Sequence, residues 1–341
     1  MILCYIMAMP PKKYILKRLP HENLRIVQPA QLKINYKHDL NQAQYDAVTS
    51  TVGPHLVIAG AGTGKTRTIV YRVSYLIEHG VSPEKILLLT FTRKAARQML
   101  GRATQLLDSR CDSVSGGTFH SFANMILRKN AQRLGYQPNF TILDQSDAED
   151  TINVVRRHLK LDEKGRRFPQ KTTLQDIYSR SINTSTSVDE LIERDYARYI
   201  DDVEDIKNVF LGYSAFKKHN NKMDYDDLLV NVVDLLQSHK DVRDRLSTHY
   251  QYIMVDEYQD TNVLQAAIVT LLTAAHSNVM VVGDDAQCIY SFRGSTIDNI
   301  LGFEKAFAGC RVIKLEDNYR STQQILDVAN AIMKHSFRLS P

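Results

Sequence analysis

A glycine-rich stretch that ends in Lys-Thr carries the residue types that could bind a triphosphate. It reads AGAGTGKT and covers residues 59–66, between an apolar run and a second run with helical spacing. Glycine lets a backbone turn tightly and point several N–H groups at one ligand, and the start of a helix adds positive potential. Lys65 can then reach the β and γ phosphates, and the Thr66 hydroxyl can bind Mg²⁺. Although Ala59 occupies the first glycine position of the general pattern, the stretch predicts a phosphate-binding loop.

Two adjacent carboxylates form a second candidate for chemistry. They end the apolar run in QYIMVDEYQD, residues 251–260. Asp256 is placed to hold Mg²⁺ directly or through water, and Glu257 to orient or deprotonate an attacking water. Alone this signal is weak, because carboxylates often end a strand or cap a helix. Together with the loop at 59–66, it makes nucleoside triphosphate hydrolysis the better explanation.

Short apolar runs that alternate with longer helical patterns must position these residues. The predicted strands cover residues 55–59, 86–90, 113–118, 252–256, 279–283 and 311–315. The predicted helices cover 40–51, 64–79, 93–107 and 262–275, and further helices begin at Phe119 and Thr322. This alternation predicts an α/β fold with a parallel sheet and helices on both faces. Ligands of such sheets bind at the carboxyl ends of the strands, where both motifs lie.

The middle of the chain has a different character. Residues 125–222 have little strand signal and many charges, which predicts a mostly helical inserted domain. An insertion also explains the wide separation of Lys65 and Asp256, since a minimal NTPase core needs only a few βα units between them. The basic run KGRR at 164–167 could contact nucleic-acid phosphates, but a solvated face is the more frequent meaning of such a run.

Composition excludes several classes of protein. The 341 residues include 43 Lys and Arg against 38 Asp and Glu, a net charge of +5 that permits a polyanionic partner without requiring one. The four cysteines are scattered, so neither a zinc site nor a disulfide framework is indicated, and a reducing, cytoplasmic location fits. No apolar run approaches membrane-spanning length, so no membrane partner is expected.

Eight motifs in a fixed order identify a family resemblance. They are LNQAQYDAV (40–48), AGAGTGKTR (59–67), LLLTFTRKAARQM (87–99), GTFHSF (117–122), MDYDDLL (223–229), IMVDEYQDTN (253–262), VVGDDAQCIYSFRGS (281–295) and LEDNYRS (315–321). From about residue 40 to its end, the chain resembles the UvrD/Rep-like superfamily 1 DNA helicases. The resemblance implies an ATP-driven motor that moves 3′ to 5′ along single-stranded DNA. It also implies a RecA-like P-loop NTPase lobe interrupted by a helical domain, followed by a second lobe with its own insertion.

The resemblance also implies a division of the chain. Residues 1–39 form an irregular lead-in, and 321–341 begin a truncated second lobe or form a linker. Between them, the RecA-like domain occupies 40–124 and 223–320, and the inserted helical domain occupies 125–222.

ATP and Mg²⁺ are the ligands that the resemblance assigns. Gln44 would bind the adenine edge, Tyr319 would stack on the adenine ring and Arg67 would lie near its other face. Gln287 and Arg320 would contact the γ phosphate. The implied nucleotide-binding residues are Gln44, Ala61, Gly62, Thr63, Gly64, Lys65, Thr66, Arg67 and Tyr319. The implied catalytic residues are Lys65, Asp256, Glu257, Gln287 and Arg320, with Thr66 and Asp256 as metal ligands.

Single-stranded DNA and its junctions with duplex are the implied partners. Phe91, Tyr290 and Phe292 occupy the positions at which the family stacks bases, with Arg293 beside them. Thr118 and His120 are weaker candidates for contacts to the DNA backbone. Lone aromatic residues usually belong to a core, and His120 could equally be a satisfied histidine at a helix start. The position of each aromatic after a strand end favours the functional interpretation.

Three positions depart from the family pattern. Ala286 replaces an acid, Cys288 replaces a serine, and Phe292 stands where Trp is frequent. None removes a phosphate contact, so we expect altered rates rather than loss of function.

The chain ends at Pro341, soon after LEDNYRS and before the second lobe that the resemblance implies. We therefore expect weak ATP binding, slow hydrolysis and no unwinding by this polypeptide alone. It is then a fragment of a longer helicase or a short protein that uses the missing lobe or a repair partner. Two other hypotheses remain open at this point: a regulator that binds ATP or single-stranded DNA without moving, and a P-loop kinase for a small molecule. The aromatic positions argue against the kinase.

Overall fold

A parallel sheet forms the centre of the protein. The computed structural model describes residues 32–161, 167–288 and 298–336. Within these ranges six strands form one sheet in the order β3-β2-β6-β7-β1-β8, with every neighbouring pair parallel. They are β1 (His55–Ala59), β2 (Ile86–Thr90), β3 (Ser115–Thr118), β6 (Tyr252–Val255), β7 (Val279–Gly283) and β8 (Arg311–Leu315). Two short strands, β4 (Thr141–Ile142) and β5 (Lys222–Met223), form a separate parallel pair.

Helices cover the sheet and form the inserted segment. Those near the sheet are α1 (Tyr36–Asp39), α2 (Gln42–Thr49), α3 (Lys65–Glu78), α4 (Arg93–Leu106), α5 (Phe119–Asn130), α10 (Tyr225–Ser238), α11 (Lys240–His249), α12 (Val263–Leu272), α13 (Asp298–Leu301), α14 (Phe303–Ala306) and α15 (Gln323–Ser336). The segment between β4 and β5 contains α6 (Gln145–His158), α7 (Lys171–Thr184), α8 (Val188–Asp195) and α9 (Val203–His219). In the described part of the chain, no helix is both long and apolar enough to cross a membrane.

The strands are uninterrupted apolar runs because both faces of the sheet are covered. In β2, Leu87 and Leu89 face the core formed with α5, α10 and α12. The alternate residues Ile86 and Leu88 face a second core formed with α2, α3 and α4. This alternation follows from the two-residue period of a strand. The predicted α/β fold with helices on both faces is confirmed.

One predicted strand begins later than expected. The sequence predicts a strand over 113–118, but Ser109–Ser113 forms a 3₁₀ turn and β3 starts at Ser115. The Asp108 side chain accepts a hydrogen bond from the Arg110 backbone N–H at 3.0 Å and so caps this turn. The capped turn therefore contains the first residue of the segment that the sequence pattern assigns to the strand.

The inserted helices have a core of their own. Buried residues of α6 to α9, from Ile152 to Tyr213, pack with one another, whereas Ile126 and Phe140 pack with the sheet core. The chain enters and leaves this segment side by side, because β4 pairs with β5. We propose the division into a sheet domain and a helical insertion on this basis.

A buried polar network joins the insertion to the sheet domain. The Asn183 side chain on α7 donates to Asp226 Oδ1 of α10 at 2.7 Å and accepts from Asn262 Nδ2 at 2.6 Å. Asn262 caps α12, since its side chain also accepts from the Gln265 backbone N–H at 2.9 Å. The insertion therefore contacts the helix that follows the adjacent carboxylates.

Lys217 is a buried cation in the same region. Its Nζ lies 2.5 Å from Asp224 Oδ2 and 2.7 Å from Asp227 Oδ2, and its side chain is 1% exposed. Burial opposes the charge, but Asp227, Tyr178 and Asp224 raise the pKa of Lys217 well above its ordinary value. A buried pair of this kind stabilises the fold only while both partners are present.

We expect Lys217→Met to lower the free energy of unfolding by about 3–5 kcal/mol, because Asp224 and Asp227 lose their buried cation. Urea denaturation at neutral pH, followed by circular dichroism, measures the change. Lys240→Met is the matched control, since its pair with Asp244 is exposed and should contribute about 0.5 kcal/mol or less. A loss at Lys217 no larger than that of the control would contradict this assignment.

Candidate functional site

The glycine-rich loop lies at the carboxyl end of β1, and its backbone conformation requires glycine. Gly62 and Gly64 have φ values of 84° and 92°, in the left-handed region. A Cβ at Gly64 would come within 2.6 Å of Gln44 Nε2, and a Cβ at Gly62 within 2.6 Å of Arg320 Cβ. The close approach of these side chains therefore depends on both glycines.

Predicted γ-phosphate and adenine residues lie around this loop. The Tyr319 backbone N–H donates to the Gly62 carbonyl at 2.9 Å, which places Arg320 beside the loop. Asn318 Nδ2 donates to the Ala61 carbonyl at 2.6 Å and fixes the same segment. The segment after β8 is thus tied to the loop after β1, as the pairing of these two strands requires.

The Gln44 carboxamide is buried and bonded at both ends. Its Nε2 donates to the Thr63 carbonyl at 3.0 Å, and its Oε1 accepts from the Asn41 backbone N–H at 3.4 Å. The contact with Asn41 forms part of the capping box that starts α2, and the contact with Thr63 joins Gln44 to the loop. Binding of an adenine edge by Gln44 stays a prediction, and it requires exchange of these hydrogen bonds.

Tyr319 and Arg67 approach the same end of α2. The Tyr319 hydroxyl accepts from Asn41 Nδ2 at 2.9 Å while the side chain remains 65% exposed. Arg67 donates to the Asp39 carbonyl at 2.7 Å and lies over the Tyr71 ring, 4.8 Å from its centroid. Tyr319 is therefore not a core tyrosine, and its exposed ring is available for stacking.

Both carboxylates follow β6 and meet the lysine of the loop. Glu257 Oε2 lies 3.2 Å from Lys65 Nζ. The Asp256 backbone N–H donates to the Leu89 carbonyl of β2 at 3.0 Å, which orients the turn that follows. Glu257 itself has a φ of 50°, an uncommon conformation for a residue with a side chain. The structure thus brings Lys65, Asp256 and Glu257 together.

Asp256 is buried at 6% exposure, and its Oδ1 has no hydrogen-bond partner among the described residues. Burial and the neighbouring charge of Glu257 raise the pKa of this carboxyl to about 7. A buried oxygen without a partner next to a phosphate-type loop fits a cation ligand. Thr66, the second predicted metal ligand, opens α3 directly after Lys65.

The donor set suits Mg²⁺ that arrives with a nucleotide. Among the described residues, no group of three or more His, Cys, Asp and Glu side chains could hold a metal by itself. Mg²⁺ commonly uses one or two protein ligands together with substrate phosphates and waters. The Thr66 hydroxyl and the Asp256 carboxylate supply such a partial set.

A hydrogen-bonded segment after β7 extends the site. Gln287 Nε2 donates to Asp284 Oδ2 at 2.6 Å. The Asp284 backbone N–H donates to Gln259 Oε1 at 3.0 Å, and Gln259 Nε2 donates to Glu257 Oε2 at 2.9 Å. Gln287 is therefore connected to Glu257 through two intervening residues.

Sequence reasoning did not assign Gln259 or Asp260. Asp260 Oδ1 is buried and lacks a partner among the residues described, and burial with the charge of Glu257 raises the pKa of its carboxyl to about 6. Both residues belong to the motif DEYQD. Their closeness in sequence to Asp256 and Glu257 was the signal that could have identified them. Their burial was not visible in the sequence.

A cavity of about 220 Å³ connects the carboxylates with three predicted DNA contacts. Its lining comprises Thr90, Phe91, Thr118, Phe119, His120, Asp256, Glu257, Thr261 and Gln265. Phe91, directly after β2, is 38% exposed and is therefore only partly buried. The predicted aromatic contact and the predicted catalytic base thus share one cavity.

Thr118 and His120 have structural contacts in addition to their place in this cavity. The Thr118 hydroxyl accepts from the Ser121 backbone N–H at 3.2 Å in the capping box of α5. The His120 ring meets the Tyr225 ring edge-on at 5.9 Å, and burial lowers the pKa of the imidazole. A neutral His120 can donate a hydrogen bond to a DNA phosphate but adds no charge. The remaining predicted contacts, Tyr290, Phe292 and Arg293, lie outside the described residues.

Asp256 should make stability depend on pH. Its folded-state pKa is about 7 and its ordinary value is 3.8, so between these values the folded state holds a proton that the unfolded state has released. Stability falls as pH rises through that window. Asp256→Asn removes this penalty, so its stabilisation relative to wild type should grow between about pH 4 and pH 7 and then level off.

Urea denaturation in metal-free buffer across this range measures the difference. Asp201→Asn is the matched control, because Asp201 is exposed. A stability difference between Asp256→Asn and wild type that stays constant with pH would contradict the burial of an ionisable carboxyl at this position.

Comparison with known proteins identifies relatives that share most of the chain. The ATP-dependent DNA helicase PcrA of Leuconostoc citreum is 40% identical over 301 residues, which cover 87% of this chain and 39% of the relative. PcrA of Staphylococcus aureus is 38% identical over 304 residues, which cover 89% of this chain and 41% of the relative. The chain therefore spans about two fifths of the length of these curated relatives.

The matched family range contains the phosphate-type loop, the adjacent carboxylates and the segment from Asp284 to Gln287. Residues 40–308 match the family described as UvrD/REP helicase N-terminal domain. The resemblance inferred from the eight motifs is thereby confirmed, and the chain belongs to the UvrD/REP helicase N-terminal domain family.

Proposed function

We propose that this chain binds Mg·ATP at the loop of residues 59–66 and hydrolyses it as the ATP-driven part of a DNA helicase. The observation that carries the proposal is the shared site of Lys65, Asp256 and Glu257, which opens on the cavity lined by Phe91, Thr118 and His120. The names of the relatives, ATP-dependent DNA helicases, support the same assignment.

The loop and its neighbours bind the triphosphate in this proposal. Backbone N–H groups at the start of α3 and the Lys65 ammonium bind the β and γ phosphates. Arg320 and Gln287 contact the γ phosphate, and Tyr319 stacks on the adenine. Thr66 and Asp256 would hold Mg²⁺, and the chemistry that the cation would supply there is neutralisation of phosphate charge.

Glu257 is the group that acts on water. Its carboxylate, 35% exposed at the side chain, orients the attacking water and accepts its proton. Lys65 Nζ lies 3.2 Å from this carboxylate and pairs with it. Binding of the γ phosphate gives Lys65 another anion and releases Glu257 for catalysis.

The DNA strand lies across the same edge of the sheet. Phe91 stacks on a base, and Thr118 and His120 contact the backbone. A π face accepts every base, so binding does not depend strongly on the DNA sequence. By analogy with the family, the motor would move 3′ to 5′ along single-stranded DNA and act at junctions with duplex. We also propose that this chain alone turns over ATP slowly and does not unwind DNA. The reason is that the family resemblance assigns a second γ-phosphate arginine to another lobe.

Glu257→Gln should keep Mg·ATP affinity and lower the hydrolysis rate by about 10²–10⁴-fold, because it removes the proton acceptor. Lys65→Ala should instead weaken nucleotide binding. Single-turnover assays with excess protein measure the rate, and fluorescent-nucleotide titration measures affinity. Glu193→Gln, an exposed glutamate on α8, is the control. Equal loss of affinity and rate in Glu257→Gln would show that another group acts on water.

Phe91→Ala should weaken binding of oligo-dT by about 1–3 kcal/mol, because one base loses its stacking partner. Fluorescence anisotropy at fixed salt measures the affinity. Phe216→Ala, at a partly buried phenylalanine of the insertion, is the control. Unchanged binding would remove the DNA contact from Phe91, and absence of oligo-dT binding by wild type would favour a small-molecule kinase.

A further inference from the structure

Gln259 is a buried side chain that joins the predicted catalytic base to the strand next to it. It is 1% exposed and follows Glu257 by two residues. Its Nε2 donates to Glu257 Oε2 at 2.9 Å, and its Oε1 accepts from the Asp284 backbone N–H at 3.0 Å. Both ends of the carboxamide are therefore used.

The hydrogen-bonding groups on either side fix which way this carboxamide is turned. If it were reversed, its NH₂ group would face the Asp284 N–H, and its oxygen would face the Glu257 carboxylate. Both contacts would be repulsive. Gly283 leaves room for the carboxamide, because a Cβ added at this glycine would come within 2.8 Å of Gln259 Oε1. The side chain thus has one satisfactory position between β6 and β7.

The contact between Gln259 and Glu257 matters most once a nucleotide binds, because Lys65 then has a phosphate as a second partner. Lys65 and Gln259 both approach Glu257 Oε2, at 3.2 Å and 2.9 Å. A γ phosphate competes for Lys65, which is a cation, whereas the Gln259 carboxamide is neutral, buried and held by its second bond from the Asp284 N–H. Gln259 then continues to hold the carboxylate.

The other end of Gln259 leads to the predicted γ-phosphate sensor. Asp284, which donates its N–H to Gln259, accepts at Oδ2 from Gln287 Nε2 at 2.6 Å. Asp284 also accepts from the Ala286 backbone N–H at 3.1 Å, which fixes its carboxylate. A displacement of Gln287 on phosphate contact therefore reaches Glu257 through two hydrogen-bonded residues.

We infer that Gln259 is a positioning residue for ATP hydrolysis. It holds the Glu257 carboxylate for water activation and couples it to the position of Asp284 and Gln287. This inference rests on the proposed ATPase function, and it adds a residue and a route of coupling to it.

The test uses two variants of Gln259. Gln259→Glu keeps the shape and the acceptor but replaces the amide donor by a carboxyl group against Glu257, and Gln259→Met keeps the length and removes both donor and acceptor. We expect each variant to lower the single-turnover rate of ATP hydrolysis by about 10–100-fold, while Mg·ATP and oligo-dT affinities stay within about threefold. Gln132→Glu, at an exposed glutamine, controls for added charge and should leave the rate unchanged.

A double-mutant comparison separates positioning from structural support. If Gln259 acts through Glu257, then Gln259→Met should cause no further loss in a Glu257→Gln background. A loss equal to that in wild type would overturn the inference, as would unchanged hydrolysis in the single variants. Unfolding of both variants, seen in thermal melts, would assign Gln259 to structure and overturn it too. Failure of the proposed function is recognised separately, because wild type and Glu257→Gln would then hydrolyse ATP at the same rate.

Discussion

The ion pair between Lys65 and Glu257 depends on one topological constraint: β1, β7 and β6 are neighbours that run in the same direction. Parallel pairing places the carboxyl ends of all three strands at one edge, so the loop after β1 and the carboxylates after β6 lie on either side of the segment after β7. Each of these strands is buried on both faces, which suits the centre of a parallel sheet covered by helices. The hydrogen bonds of Asp284 follow from this order, and the proposed phosphate binding and water activation depend on it.

The same edge of the sheet carries acidic side chains whose buried oxygens are not all satisfied within the described part of the protein. Asp256 and Asp260 are acids with buried oxygens that lack partners among the described residues, and the pKa of each carboxyl is raised. Unpaired buried acids reduce stability, and they persist where a ligand compensates for them. Lys217 shows the contrast, since its two carboxylate partners satisfy it within the protein. Asp256 and Asp260 thus each have a buried oxygen without a hydrogen-bond partner among the described residues, whereas Asp224 and Asp227 both contact Lys217.

The local sequence was sufficient for these strands and the loop, because HLVIA, ILLLT and VMVVG are mostly apolar runs of strand length. It was not sufficient for β3, where a capped turn takes its first residues. Gln259 was missed because burial of a polar side chain depends on a distant strand, which local pattern does not encode. The roles of Gln44, Arg67, Tyr319 and Arg320 came from the family resemblance, and the structure places them around the loop without testing those roles.

The pairing of β4 with β5 bears on how the helical insertion could be exchanged during evolution. Because Thr141 and Lys222 are aligned partners, the two ends of the helical segment already lie side by side. Both strands lie outside the main sheet, and because they run in parallel the segment between them must be a crossover rather than a tight turn. Exchange of this crossover for another one would leave the strand order of the main sheet unchanged, and the contacts that would be lost are those of Asn183 with Asp226 and Asn262. Another segment in this place would need ends that pair as β4 and β5 do, and an amide side chain at the position of Asn183.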